Sequence, residues 1–145
     1  MSLEENKAIV RKVVEAANKR NLDLMDEIVA PDFVDHKHQS RGLEALKQTV
    51  AMLYKSFPDF REKTEDIIAE GDKVWVRLTN TGTHAGEFRG LAPTGKKFTI
   101  TSVDIWRIAN GKVVEGWSVS DELDFLKKLG VIEITEKGKK LFPEG

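Results

Sequence analysis

Between Gly82 and Phe98 the chain reads Gly-Thr-His-Ala-Gly-Glu-Phe-Arg-Gly-Leu-Ala-Pro-Thr-Gly-Lys-Lys-Phe, a segment holding four of the eleven glycines and one of the four prolines. On either side lie runs rich in β-branched and aromatic residues, Lys73–Thr83 and Lys97–Ala109. The chain must therefore leave one long strand, loop, and enter another, and glycine at this density permits close backbone approach and positive φ.

Within the segment, Gly90-Leu-Ala-Pro-Thr-Gly-Lys-Lys97 comes close to a phosphate-binding Gly-x-x-x-x-Gly-Lys-Ser/Thr loop. That chemistry needs a hydroxyl at the last position and a helix N-terminus behind it. Lys97 offers no hydroxyl, and Phe98-Thr-Ile-Thr-Ser-Val-Asp-Ile-Trp106 reads as a strand. The segment is therefore read as a structural loop.

The flanks supply the rest of the architecture. Ile9, Val13 and Ala17, with Val10 and Val14 beside them, define an amphipathic helix over residues 3–18. Asn21 is placed to cap a short helix carrying Leu22, Met25, Ile28 and Val29, which Pro31 stops. A brief strand is expected through Phe33-Val34. From Gly42, the residues Leu43, Leu46, Val50, Leu53 and Phe57 repeat at helical spacing up to Pro58. The chain then turns β: residues 60–69 and 73–83 flank Glu70-Gly71-Asp72, and residues 97–109 and 112–119 flank Asn110-Gly111, a strong hairpin signal. A last helix is expected from about Ser120, with Leu123, Leu126 and Leu129 on one face and Gly130 as its terminator. Helices first and long antiparallel strands afterwards give an α+β domain. Its antiparallel sheet of four or more strands would curl over a three-helix cover and enclose a pocket.

At 145 residues the chain suits one domain, 1–145, with a real core. A net charge of −1 gives no case for nucleic acid or an anionic membrane, and the absence of cysteine excludes disulfide and thiol chemistry. The charged start and the lack of a long apolar run make a cytoplasmic protein the expectation.

Alternation along residues 98–108 puts Phe98, Ile100, Ser102, Asp104, Trp106 and Ile108 on one face, expected to look toward the helices. Asp104 then lies among apolar neighbours, where desolvation raises a carboxyl pKa and suits it to acid–base work. A surface Asp on a sheet packed by its other face is the alternative. His36 is the expected partner of Asp104 in the pocket, as shuttle or hydrogen-bond group. His36 and His38 alternate, but two histidines without a spaced third ligand do not make a metal site, and none is expected. His84 is read as structural, donating to loop carbonyls. Asp121 is read first as an acid favouring the dipole of the last helix, and only second as catalytic. Pocket walls are expected from Trp106, Ser118, Ile100, Leu53, Phe57 and Trp75.

The order of elements, with Pro31-Asp-Phe-Val-Asp-His36, Phe57-Pro-Asp-Phe60, Ile67-Ile-Ala-Glu-Gly-Asp72, Gly82-Thr-His-Ala-Gly86, Pro93-Thr-Gly-Lys96, Asn110-Gly-Lys112, Trp117, Asp121 and Leu129-Gly130, resembles the SnoaL-like polyketide or ester cyclase family over about residues 5–130. The resemblance implies the cone-shaped α+β partial barrel shared with nuclear transport factor two, ketosteroid isomerase and scytalone dehydratase. It also implies a homo-oligomer, expected to be a homodimer, with no cofactor and a deep pocket for a small hydrophobic substrate. Cyclases of this family close a ring by an intramolecular aldol reaction using a pocket His and Asp. Aligned through the Asn-Gly hairpin, that His falls at Asp104 and that Asp at Ser118; where many relatives carry His-Trp-Asp, this chain has Gly116-Trp117-Ser118. Two functions follow as expectations: a cofactor-free acid–base enzyme using Asp104, or a binding or assembly module that has lost the family's proton-transfer pair.

Overall fold

A computed structural model describes residues 2–142. Helix α1 (Leu3–Asn18) starts at Ser2, whose hydroxyl accepts from the Glu5 N–H at 3.1 Å, and buries Val10, Val13, Val14 and Ala16. Asn21 caps a 3₁₀ turn, Leu22–Leu24, that runs into the one-turn helix α2 (Met25–Ile28). Helix α3 (Leu43–Ser56) follows, and α4 (Glu122–Leu129) ends on Gly130 with φ +70°. Asp121 caps α4 by accepting from the Asp124 N–H at 3.1 Å.

Six strands form one curved, unclosed sheet: β1 (Val29–Asp35), β2 (Ser40–Arg41), β3 (Arg61–Glu70), β4 (Lys73–Thr83), β5 (Lys97–Ala109) and β6 (Lys112–Ser120), in spatial order β2-β1-β6-β5-β4-β3. The sheet is mixed: β1 runs parallel to β6, which corrects the antiparallel expectation. The brief strand expected at Phe33-Val34 spans seven residues and includes Pro31, and the helix before it ends at Ile28. Both hairpin signals are realised. Asn110 and Gly111 both take positive φ, +52° and +76°, as a two-residue turn between right-twisted strands requires.

One-residue bulges shift the register of β3 between Thr64 and Asp66, and of β6 where Ile108 pairs with Val113 and Arg107 with Glu115. Two apolar clusters pack against the concave face. The larger joins α1, α2 and α3 to Phe33, Val74, Val76, Leu78, Ile108 and Val113. The smaller gathers Phe57, Phe60, Phe98 and Leu129 with Phe88, Ile100 and Phe125 against them. Rings here meet mostly edge to face, as between Phe98 and Phe125 at 4.9 Å and 87°.

The glycine-rich segment folds onto the end of α3. Ala85 and Gly86 both donate to the Ser56 carbonyl, and the Ser56 hydroxyl donates to the Glu87 carbonyl at 2.6 Å. His84 is fully buried. Its Nδ1 accepts from the Thr94 N–H at 3.3 Å and faces the Thr94 hydroxyl at 3.0 Å, so it serves the loop as an acceptor rather than donating to carbonyls.

Candidate functional site

Cross-strand register fixes which side chains share the concave face, because residues directly opposite point the same way. Val76 faces Asp104, which faces Ser118; Leu78 faces Ser102, which faces Ser120; Glu62 faces Asn80, which faces Ile100. Asp35 joins the same face of β1 through its pairing with Gly116. Between the two apolar clusters there is thus a polar belt: Asp35, Glu62, Asn80, Ser102, Asp104, Ser118 and Ser120.

Within the belt Asp35, Asn80 and Ser102 are buried, and Glu62, Asp104, Ser118 and Ser120 are half-buried. Burial pushes the Asp104 carboxyl up; the Ser118 hydroxyl opposite it and the Lys37 ammonium pull it down, while Asp35 adds repulsion. Burial, then the charge of Asp104, pushes Glu62 up to about 8 against a weaker pull from Lys37. Lys37 lies at the rim and donates to the Ser120 hydroxyl at 3.3 Å. Behind it, Asp35 accepts from the His38 backbone N–H at 3.2 Å and lies 2.8 Å from His38 Nδ1. Tyr54 of α3, pushed up to about 12 by burial and then by Glu62, donates to the Ala17 carbonyl.

On this face two buried atoms, one of the belt and one beside it, are left without protein partners among the described residues. Asn80 donates through Nδ2 to the Ser102 hydroxyl at 2.7 Å, while its Oδ1 is buried and unpaired. The indole N–H of Trp106, one step along β5 from Asp104 on the same face, is buried and unpaired too. A buried polar atom without a partner costs about 1–3 kcal/mol, and a bound ligand with a donor for Asn80 and an acceptor for Trp106 would recover it.

The expected site residues divide sharply. Asp104, Ser118, Trp106 and Ile100 share the concave face. Phe57 is fully packed in the smaller cluster, with Leu53 against it, so these two brace one end of the belt. His36 does not join Asp104. It lies on the convex face, 2.7 Å from Glu115 Oε2, stacked on Trp117 at 4.7 Å and 5°. Its neighbour Asp35 points inward, so alternation turns His36 outward. Trp75 is also convex and 47% exposed, and Asp121 is occupied in capping α4. His36 and His38 serve different carboxylates and do not converge. The sequence reading passed over Glu62, Lys37, Asn80 and Asp35.

A groove of about 410 Å³ between α1 and β3 is lined by Arg11, Asn18, Lys19, Arg61, Glu62 and Lys63 among others. It touches the belt at Glu62 alone.

The profile of the SnoaL-like polyketide cyclases matches residues 7–129. The chain belongs to this family. It is 30% identical over 142 residues to the aklanonic acid methyl ester cyclase DauD of a Streptomyces strain, covering 93% of this chain and 88% of that one. It is 27% identical to the nogalonic acid methyl ester cyclase of Streptomyces nogalater, over 81% of this chain and 92% of that protein. Among solved structures, IdmH from Streptomyces antibioticus superposes with a TM-score of 0.77 at 31% identity, covering 86% of this chain and 98% of that chain.

In this SnoaL-like chain the two positions that the resemblance gives to a histidine and an aspartate hold Asp104 and Ser118, direct partners across the β5–β6 ladder. The carboxylate stands on β5 and the hydroxyl on β6. The third departure, Gly116, has a steric cause: a Cβ there would lie 2.8 Å from the Trp106 ring and 3.0 Å from that of Phe33. The indole occupies the volume a larger side chain would need.

Proposed function

We propose that this protein closes a carbocycle in a small, hydrophobic, polyketide-derived ester by an intramolecular aldol reaction, with Asp104 as the general base. The observation that carries the proposal is the Asp104–Ser118 pair on the concave face, half-buried and on the same face as the unpaired Asn80 and Trp106 atoms. A C–H between two carbonyl groups is acidic enough for a carboxylate of raised basicity to remove, and the resulting enolate attacks a ketone in the same molecule. The closure changes no oxidation state, so the reading calls for no cofactor. The names of the relatives, methyl ester cyclases at 27–30% identity, support the substrate class.

The test is turnover of aklanonic acid methyl ester by wild type and Asp104→Asn. Loss of the carboxylate base is expected to lower kcat by about 10²–10⁴-fold with folding intact. A variant as fast as wild type would remove Asp104 from the mechanism. The departure at Ser118 and the outward turn of His36 support a second reading, a ligand-binding module without chemistry. That reading predicts ligand retention in native mass spectrometry with no turnover. We also propose a homodimer, supported by the apolar convex face taken up in the Discussion.

A further inference from the structure

We infer that His38 is a second catalytic group of this site, the acid that protonates the new alkoxide, and that the buried Asp35 positions it. The chemistry rests on the aldol proposal; the geometry does not. The turn between β1 and β2, residues 36–39, is fastened to β6 at two places. At one, Lys37 donates to the Ser120 hydroxyl at 3.3 Å. At the other, Asp35 is the register partner of Gly116, and the His36 N–H donates to the Gly116 carbonyl at 3.0 Å. Gly116, Ser118 and Ser120 follow one another by twos along the inward face of β6, so the two fastenings bracket Ser118, the direct partner of Asp104. His38 thus belongs to the turn that borders the Asp104–Ser118 row.

Both oxygens of the Asp35 carboxylate are taken up by His38. Oδ1 accepts from the His38 backbone N–H at 3.2 Å, and Oδ2 lies 2.8 Å from Nδ1. An ionised carboxylate only accepts, so Nδ1 carries a proton and Nε2 is the nitrogen left to exchange one. The side chain of Asp35 is 11% exposed and that of His38 37%, so the pair is anchored inside and free at the rim. The cross-sheet row through Asp35 runs Ser40, Asp35, Gly116, Trp106. It holds two buried polar atoms without a partner among the described residues, Ser40 Oγ and Trp106 Nε1, which polar groups of a ligand lying along the row would satisfy. Asp35 and Asp104 stand two strands apart and one inward step out of line, roughly 12 Å between α-carbons on a flat sheet. They do not touch; His38 and Asp104 address a bound substrate from two sides. His36, the other imidazole of the turn, is held by Glu115 on the convex face and takes no part.

In the step this provides for, Asp104 takes the proton of the C–H between two carbonyls. The carbanion forms a C–C bond to the ketone carbon, whose C=O π electrons move to oxygen, and the His38 imidazolium gives that oxygen its Nε2 proton. Asp35 keeps the Nδ1–H and offsets the charge of the imidazolium before the transfer. The substrate is isomerised without gain or loss of atoms. The proton now on Asp104 passes to solvent, and His38 at the rim takes one back.

Two readouts test this. In ¹⁵N spectra taken where the ring is neutral, His38 of the wild type is expected as the Nδ1–H tautomer, and Asp35→Asn to move it toward Nε2–H. In turnover of aklanonic acid methyl ester, His38→Gln is expected to lose about 10²–10⁴-fold in kcat with KM little changed. Asp35→Asn should lower kcat by about tenfold or more, yet add little to the loss in His38→Gln, because the carboxylate acts through the ring. Near-ultraviolet circular dichroism checks that each variant folds. A His38→Gln enzyme of wild-type speed overturns the assignment, as does a loss confined to KM or a wild-type ring in the Nε2–H tautomer. A wild type that closes no ring counts against the aldol reading alone, and the tautomer then decides the Asp35–His38 pair.

Discussion

Glu62 ties the protonation of the site to the stability of the fold. Its carboxyl is pushed from an ordinary value of 4.5 to about 8, by burial first and by Asp104 second. Between those values the folded chain holds a proton that the unfolded chain has released, so stability falls as pH rises. The contribution is complete below about pH 4.5 and is lost through about pH 8. Each tenfold gain in proton affinity corresponds to about 1.4 kcal/mol, and solvent reaching this partly exposed residue reduces the sum to on the order of 2–4 kcal/mol. Asp104, also raised by burial, acts in the same direction. The carboxylates held low, Glu15, Asp59 and Glu115, act in the opposite direction only at more acid pH. Melting temperature is therefore expected to drop by several degrees from pH 5 to pH 8.5, and Glu62→Gln to flatten most of that drop. An equal slope in wild type and variant would remove Glu62 as its cause.

At the level of elements, the joint between the glycine-rich loop and α3 leaves the least room for a side chain of any described glycine. A Cβ on Gly86 would lie 2.0 Å from the Lys55 carbonyl oxygen, so Gly86→Ala must push the loop off the end of α3. The expected loss is about 2–4 kcal/mol, read by denaturant unfolding, with protease nicking within residues 84–96; unchanged stability would count against the clamp. The loop, the hairpins and the inward set of β5 were legible because each depends on local chemistry: glycine at positive φ, an Asn-Gly turn, strict alternation. Glu62 was not. Counting back by twos from the inward Ile67 puts Arg61 and Lys63 inside, and only the bulge at Glu65 reverses that. His36 could have been placed outside from Phe33 and Asp35, both inward by the same alternation. The parallel pairing of β1 with β6 joins residues some eighty positions apart, and no local signal encodes it.

On the whole molecule, the convex face carries one row in register across the sheet: Ile68, Trp75, Ile105 and Trp117, with His36 stacked at its end. Ile68 is 63% exposed and Val119 on the same side 70%. The ion pairs Arg77–Asp66 and Arg107–Glu115 lie on the same face. An apolar core with a polar surround is the usual make-up of a protein interface. For the proposed homodimer, Trp75→Asp is expected to give monomers in light scattering, whereas a wild type already monomeric at micromolar concentration would end that reading. No helix among the described residues is long and apolar enough to cross a membrane. Asp104 and Ser118 belong to neither apolar cluster, although Trp106 and Ile100 on the same face pack against the cores. A descendant can exchange acid, hydroxyl or imidazole at positions 104 and 118 without removing a residue of either cluster. The scaffold is thereby free to acquire new reactions while its cores stay as they are.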